Sequence, residues 1–169
     1  MSFVVAALVL LGALTMANLL LTLGVVRRLR EHTKILDATT TGGAIAEFSA
    51  TTVDGVPLTR EGLAEGPEAT TVAFLAPECG SCRSQVPALV EWASAQSRDR
   101  TLVVLDALVT DPADLVEALN PVARVIVEKS GLVAGAFQVS AFPSFCLVGD
   151  GRVVASFAEV SDLRAALRA

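Results

Sequence analysis

Hydrophobic positions divide the chain into one unbroken apolar run and a longer stretch where short apolar bursts alternate with polar breaks. From Phe3 to Val26 only Thr15, Asn18, Thr22 and two glycines interrupt the apolar side chains, and no charge precedes Arg27. A helix rising about 1.5 Å per residue over such a run covers the roughly 30 Å hydrocarbon core of a bilayer. A signal peptide would instead show a basic leader, a shorter apolar core and a small-residue cleavage site. Residues 1–26 are therefore predicted to be a retained, single-pass transmembrane anchor, with residues 2–26 in contact with lipid.

The segment 27–44 changes character twice. Arg27, Arg28, Arg30 and Lys34 lie directly beside the apolar run, and Asp37 to Ala44 lacks periodicity and contains a glycine pair, which reads as a linker. Beyond it, residues 45–169 are long enough for one core without disulfide staples. Phe48–Val53, Asp54-Gly55 and Val56–Leu58 predict a hairpin with the Asp-Gly pair at its turn. Thr70–Ala76 is continuously apolar, as in a strand covered on both faces. Ser81–Ser97 has helical spacing, Thr101–Leu108 is the next strand, Asp111-Pro112 opens a helix, and Arg124–Glu128 is a further strand. Gly131–Gln138 is predicted helical. Ser144–Val148 and Arg152–Phe157 form a hairpin across Gly149-Asp150-Gly151, and Ser161 is expected to cap a last helix ending at Arg168. This alternation is that of an α/β sandwich with a mixed central sheet, in which chemistry tends to sit beyond the carboxyl ends of strands.

Composition narrows the function. Of 169 residues, 53% are hydrophobic and 18% charged, which excludes a disordered chain, and the net charge of −5 is the wrong sign for nucleic acid. Cys79-Gly80-Ser81-Cys82 stands where the strand from Thr70 meets the helix from Ser81. A thiolate there faces unpaired backbone N–H groups and the positive end of the helix dipole, so Cys79 is the candidate nucleophile. Cys82, one turn on, can resolve a mixed disulfide. A zinc site would need a second ligand pair, and only Cys146 and His32 remain, so neither metal nor cofactor is expected. An inert structural disulfide stays open.

Phe74-Leu-Ala-Pro-Glu-Cys79-Gly-Ser-Cys82-Arg-Ser-Gln-Val-Pro87, Gly135-Ala-Phe137-Gln-Val139-Ser-Ala-Phe142-Pro143-Ser-Phe145 and Gly149-Asp150-Gly151-Arg152-Val153 resemble the thioredoxin-like superfamily. More narrowly, they resemble its membrane-anchored TlpA/ResA-type thiol–disulfide oxidoreductases, which include MauD-like proteins. The likeness spans about Phe48 to the C-terminus. It implies a thioredoxin-like three-layer α/β sandwich with an N-terminal β-hairpin, here preceded by the transmembrane helix. It also implies that Cys79 attacks, Cys82 resolves, Pro87 kinks the helix, and Pro143 is a cis-proline facing the cysteines. Phe142 and Pro143 would then bind an extended substrate segment, supported by Glu78, Gly80, Ser81 and Gln85. The partners implied are a protein thiol or disulfide and an unidentified electron donor or acceptor.

Two departures qualify the likeness. Thioredoxins usually carry a buried Asp where this chain has Ala73, and the TlpA/ResA type often has a Glu where it has Gln85. Proton transfer would fall to water or Glu78, and Glu78 would also raise the Cys79 pKa. A peroxiredoxin is less compatible, because Ala76 stands where its Thr or Ser belongs. The alternative of another class is a client-binding or maturation module without turnover. Cys146 reads as a small core hydrophobe or as a third redox thiol. Relatives of this type usually work outside the cytoplasm, whereas the basic residues 27–34 favour a cytoplasmic domain.

Overall fold

The computed structural model describes residues 43–64 and 69–168, together with positions 5, 11, 12, 15 and 16. The expected transmembrane helix and basic segment therefore lie almost wholly outside the described residues. Among the described residues no helix is long and apolar enough to cross a membrane.

The architecture follows from six consecutive buried residues. Thr70–Leu75 forms β3, the middle strand of a five-stranded sheet. Ahead of it in the chain come β1 (Ser49–Thr51), β2 (Pro57–Thr59) and the short helix α1 (Arg60–Ala64). After it come α2 (Gly80–Ala93), a 3-10 turn at Arg98–Arg100, β4 (Thr101–Asp106), α3 (Ala113–Leu119) and β5 (Arg124–Glu128). Helix α4 (Leu132–Ala136), β6 (Ser144–Gly149), β7 (Arg152–Phe157) and α5 (Val160–Ala166) complete the fold. The sheet runs β5-β4-β3-β6-β7, with β3, β4 and β5 parallel and β6 and β7 antiparallel to their neighbours, so it is mixed as expected.

Alternation along the strands sorts the core into two layers. Ala73, Leu75, Val103 and Leu105 pack with α2, α3 and α5. Val72, Phe74, Leu102 and Val104 face the other way, toward Phe48, Leu58, Leu63 and α4. Phe137 anchors that second layer, edge-on to Phe74 at 5.1 Å and tilted against Phe48 at 5.9 Å. The result is three layers with the five-stranded sheet in the middle.

Both predicted hairpins form. The β1–β2 connection turns at Gly55 (φ +80°), and the Asp54 carboxylate ties it to the Arg98 guanidinium and the Asn120 amide. Those two hydrogen bonds hold the Asp54 carboxyl below its usual pKa. The β6–β7 turn places Asp150 at φ +52° and Gly151 at φ +68°, the paired positive angles of a two-residue hairpin loop.

Three local expectations need correction. Helix α2 stops at Ala93 rather than Ser97, because the Ala95 and Gln96 N–H groups bond only three residues back, to Trp92 and Ala93, and the exposed residues there offer nothing to bury. Ser161 does not cap α5. That helix starts at Val160 with Glu159 at its N-cap, two residues earlier than a Ser161 cap implies; its first N–H donates to Gln85, and the Ser161 hydroxyl donates to Glu159. Helix α1 was not anticipated.

Candidate active site

Strand β3 delivers the chain to its carboxyl end, and a turn at Pro77-Glu78 closes when the Cys79 N–H bonds the Ala76 carbonyl at 3.1 Å. Cys79 keeps an extended backbone (φ −80°, ψ 109°) and occupies the N-cap of α2. Its Sγ accepts the Cys82 N–H at 3.1 Å, the place a Ser or Asp oxygen takes in an ordinary cap. The junction thus supplies a polarised donor to sulfur.

Cys79 and Cys82 are joined as a disulfide, with Cα atoms 5.2 Å apart. Their exposures differ. Cys82 is fully buried among the residues under α2, while Cys79 is half-buried and is the sulfur that a partner can reach. The Ser81 hydroxyl lies 3.1 Å from Cys79 Sγ, where it can donate a further hydrogen bond. Gly80 is exposed, and nothing lies within 4 Å of where its Cβ would sit, which leaves open surface beside Cys79.

The Phe142–Pro143 peptide is cis. Because Ser144 pairs with Phe74 near the end of β3, this loop falls beside the cysteines, and the Phe142 carbonyl oxygen is 3.8 Å from Cys79 Sγ. Phe142 is half-buried and touches both core layers. Cys79, Cys82, Ser81, Phe142 and Pro143 are therefore brought together.

The other expected site residues stand around them. Pro87 lies inside α2 and cannot donate to the Arg83 carbonyl. Gln85 is directed elsewhere, its amide oxygen accepting the Val160 N–H at 3.1 Å, so it joins α2 to the start of α5. Glu78 is exposed on the turn. Ala73 is fully buried and carries no acid beneath the cysteines.

Arg83 escaped notice in the sequence. Its Nε donates to the Pro77 carbonyl at 2.8 Å and its Nη1 to Asp114 Oδ2 at 2.6 Å, so one side chain braces the turn before Cys79 against α3. The ion pair holds the Asp114 carboxyl below its usual pKa. Only the adjacency of Arg83 to the motif hinted at this; Asp114 gave no signal.

Cys146 is resolved by the sheet. It is fully buried on β6, among residues of the layer facing away from α2, so it is not on the face that holds Cys82. Burial pushes its thiol up to about 11, with the Ser144 hydroxyl pulling weakly the other way. It packs as a small hydrophobe.

The fold defined by this sheet, hairpin and helix order is the thioredoxin-like α/β fold, as solved structures bear out. A thioredoxin domain of a thiol–disulfide oxidoreductase from Bacteroides vulgatus superposes with TM-score 0.58 at 18% identity, over 76% of this chain and 95% of that one. An exposed lipoprotein thioredoxin from Streptococcus pneumoniae gives 0.57 at 21% identity, over 73% and 98%. A secreted disulfide oxidoreductase from Mycobacterium tuberculosis gives 0.56 at 20% identity, over 72% and 92%. No protein-family model matches the chain, and no curated protein sequence does.

Proposed function

We propose that the chain is a membrane-anchored thiol–disulfide oxidoreductase that exchanges the Cys79–Cys82 pair with protein substrates. The observation that carries this reading is the half-exposed Cys79 sulfur at the N-cap of α2, within 3.8 Å of the Phe142 carbonyl beside Pro143. In the reduced pair, the Cys79 thiolate attacks a client disulfide, forming a Cys79–client bond and releasing one client thiolate. Cys82, as thiolate, then attacks Cys79 Sγ, closing the intramolecular disulfide and releasing the second client thiolate. Two electrons pass to the client, and the two protons of the dithiol go to water or to the client sulfurs. The reverse sequence oxidises a client dithiol. The donated Cys82 N–H and the helix dipole stabilise the Cys79 thiolate.

We place the anchor at residues 2–26 and the domain outside the cytoplasm. The uninterrupted apolar run supports the first. For the second, neighbours of the same fold are described as exposed or secreted. The basic segment 27–34 opposes it, but a whole domain can translocate against local charge.

Insulin reduction by the full-length chain in mild detergent, against Cys79→Ser, tests the activity; equal background rates would overturn it. Those rates would favour the second reading, client binding without turnover, on whose side stand Ala73 and the engaged amide of Gln85. Labelling Cys79 in intact, reduced cells with a membrane-impermeant maleimide tests the side; no labelling until the cells are opened overturns the extracytoplasmic placement.

A further inference from the structure

A groove runs between α2 and α5, made of two hollows of about 470 and 530 Å³ that share Arg164 and Arg168. Glu91, Trp92, Arg100 and Leu167 line the first, and the second continues along α2 past Ala88 and Gln85 to Ser84. Trp92 and Ser84 are about 12 Å apart along the helix, and Ser84 stands five residues after Cys79. Three arginines and one glutamate give the groove a positive surplus, although the chain beyond Asp37 holds nine basic and sixteen acidic residues. Arg164 is fixed at its centre. Its Nη2 donates to the Ala88 carbonyl at 2.9 Å and lies 3.3 Å from Glu91 Oε2, while Nε is buried without a hydrogen-bond partner among the described residues. The fold thus holds this guanidinium without saturating it. Trp92, 9% exposed, supplies an apolar wall, and Leu167 is an exposed apolar neighbour.

We propose that this groove docks an extended, acidic segment of a partner polypeptide, with carboxylates on Arg164 and Arg168 and apolar side chains against Trp92 and Leu167. The planar fork of an arginine matches a carboxylate with two parallel hydrogen bonds. Arg164 and Arg168 are four residues apart at the end of α5, a spacing that sets side chains about 5–6 Å apart. Alternate residues of an extended chain share one face and repeat at about 6.6 Å, so a Glu-x-Glu step fits the pair. A bilayer fits less well, because a flat anionic surface does not follow side chains that line a concave groove, and Glu91 would repel it there. Docking needs the groove alone. Its use rests on the thiol–disulfide exchange reading above, in which a client held along α2 keeps its disulfide near Cys79 at a raised effective concentration.

The test uses the full-length chain in a mild non-ionic detergent and the peptide Leu-Glu-Leu-Glu-Leu. Anisotropy of the dye-labelled peptide reads affinity, and the emission of Trp92, the single tryptophan, reads the site with unlabelled peptide. Arg168→Glu, at an exposed position, is expected to weaken binding about tenfold, and so is replacing both peptide glutamates by glutamine. Cys79→Ser is expected to bind as wild type does. Absence of binding, or an affinity that Arg168→Glu leaves unchanged, overturns the docking site, and insulin reduction by the same preparation then shows that exchange stands without it. Binding by a chain that does not reduce insulin upholds the docking and overturns its use in exchange. Trp92 emission that responds to phosphatidylglycerol added to the micelles, and not to the peptide, assigns the groove to lipid headgroups and overturns the proposal. Should Arg168→Glu not fold, Arg168→Ala takes its place, with about a threefold loss expected and an unchanged affinity refuting the site.

Discussion

Cys79 and Cys146 are the same residue type in one small domain, yet the fold surrounds their sulfurs in opposite ways. On the α2 face the chain leaves β3, turns, and begins a helix at the sulfur, so Cys79 meets a backbone donor at 3.1 Å and is half-exposed. On the other face Cys146 sits inside β6 with its backbone spent on ladder bonds and its side chain sealed among Val72, Phe74 and Phe137. The two sulfurs thus differ in access and in backbone donors, which are the conditions that favour or suppress a thiolate. The comparison breaks if Cys79→Ser retains insulin reduction, whose rate is expected to fall to the uncatalysed background. It also breaks if Cys146→Ser impairs turnover. That variant is expected to reduce insulin at the wild-type rate while losing about 1–3 kcal/mol in urea unfolding, because it buries a hydroxyl in an apolar layer. Mass spectrometry after alkylation of the folded, reduced chain should find Cys79 modified and Cys146 untouched.

Asp106 sharpens the contrast, because it is an ionisable group on the face that buries Cys146. Its pKa, raised by burial and by the Glu128 and Glu78 charges, means that the folded state resists an ionisation the unfolded chain accepts near 3.8. The destabilisation is therefore absent below that pH, grows as pH rises through the folded value, and is constant above it. Asp106→Asn is expected to raise stability by about 1 kcal/mol at pH 8 and to have little effect at pH 3.5. Urea titrations at both pH values check this, and a gain of equal size at both would show that charge is not its cause.

The strands and the motif were legible because local signals agreed. The unbroken apolar run of β3, the Asp-Gly turns and the strand-to-helix break at Pro77 each announce themselves within a few residues. What the sequence concealed is long-range and polar. Asp54 meets Arg98 and Asn120 across 44 and 66 residues, Gln85 meets Val160 across 75, and Asp106 meets Glu128 only through strand register. None of these contacts has a period. The start of α5 was misplaced for the same reason, since its first donor is satisfied by a side chain from another helix, not by Ser161.

Arg83 and Gln85 are such long-range ties on the reactive face, and they carry the smaller predictions. Arg83→Ala removes the brace between the Pro77 turn and Asp114 and is expected to slow insulin reduction a few-fold. It should change stability by less than about 1 kcal/mol, as an exposed ion pair does. An unchanged rate would mean that the turn holds Cys79 without help.

The smallest effect is expected from Gln85→Glu. Its oxygen already accepts the Val160 N–H at the first turn of α5, so a carboxylate there keeps the bond and adds a negative charge at the positive end of that helix. Stability at neutral pH should rise by about 0.5 kcal/mol, and that gain should vanish as the pH falls through the carboxyl pKa of the folded variant. The same acid stands one turn after Cys82, so the pH profile of disulfide reduction should change as well. A stability gain with an unchanged profile would make position 85 a helix tie and nothing more. A changed profile without the gain would mean that the carboxylate abandons Val160 and turns toward the disulfide.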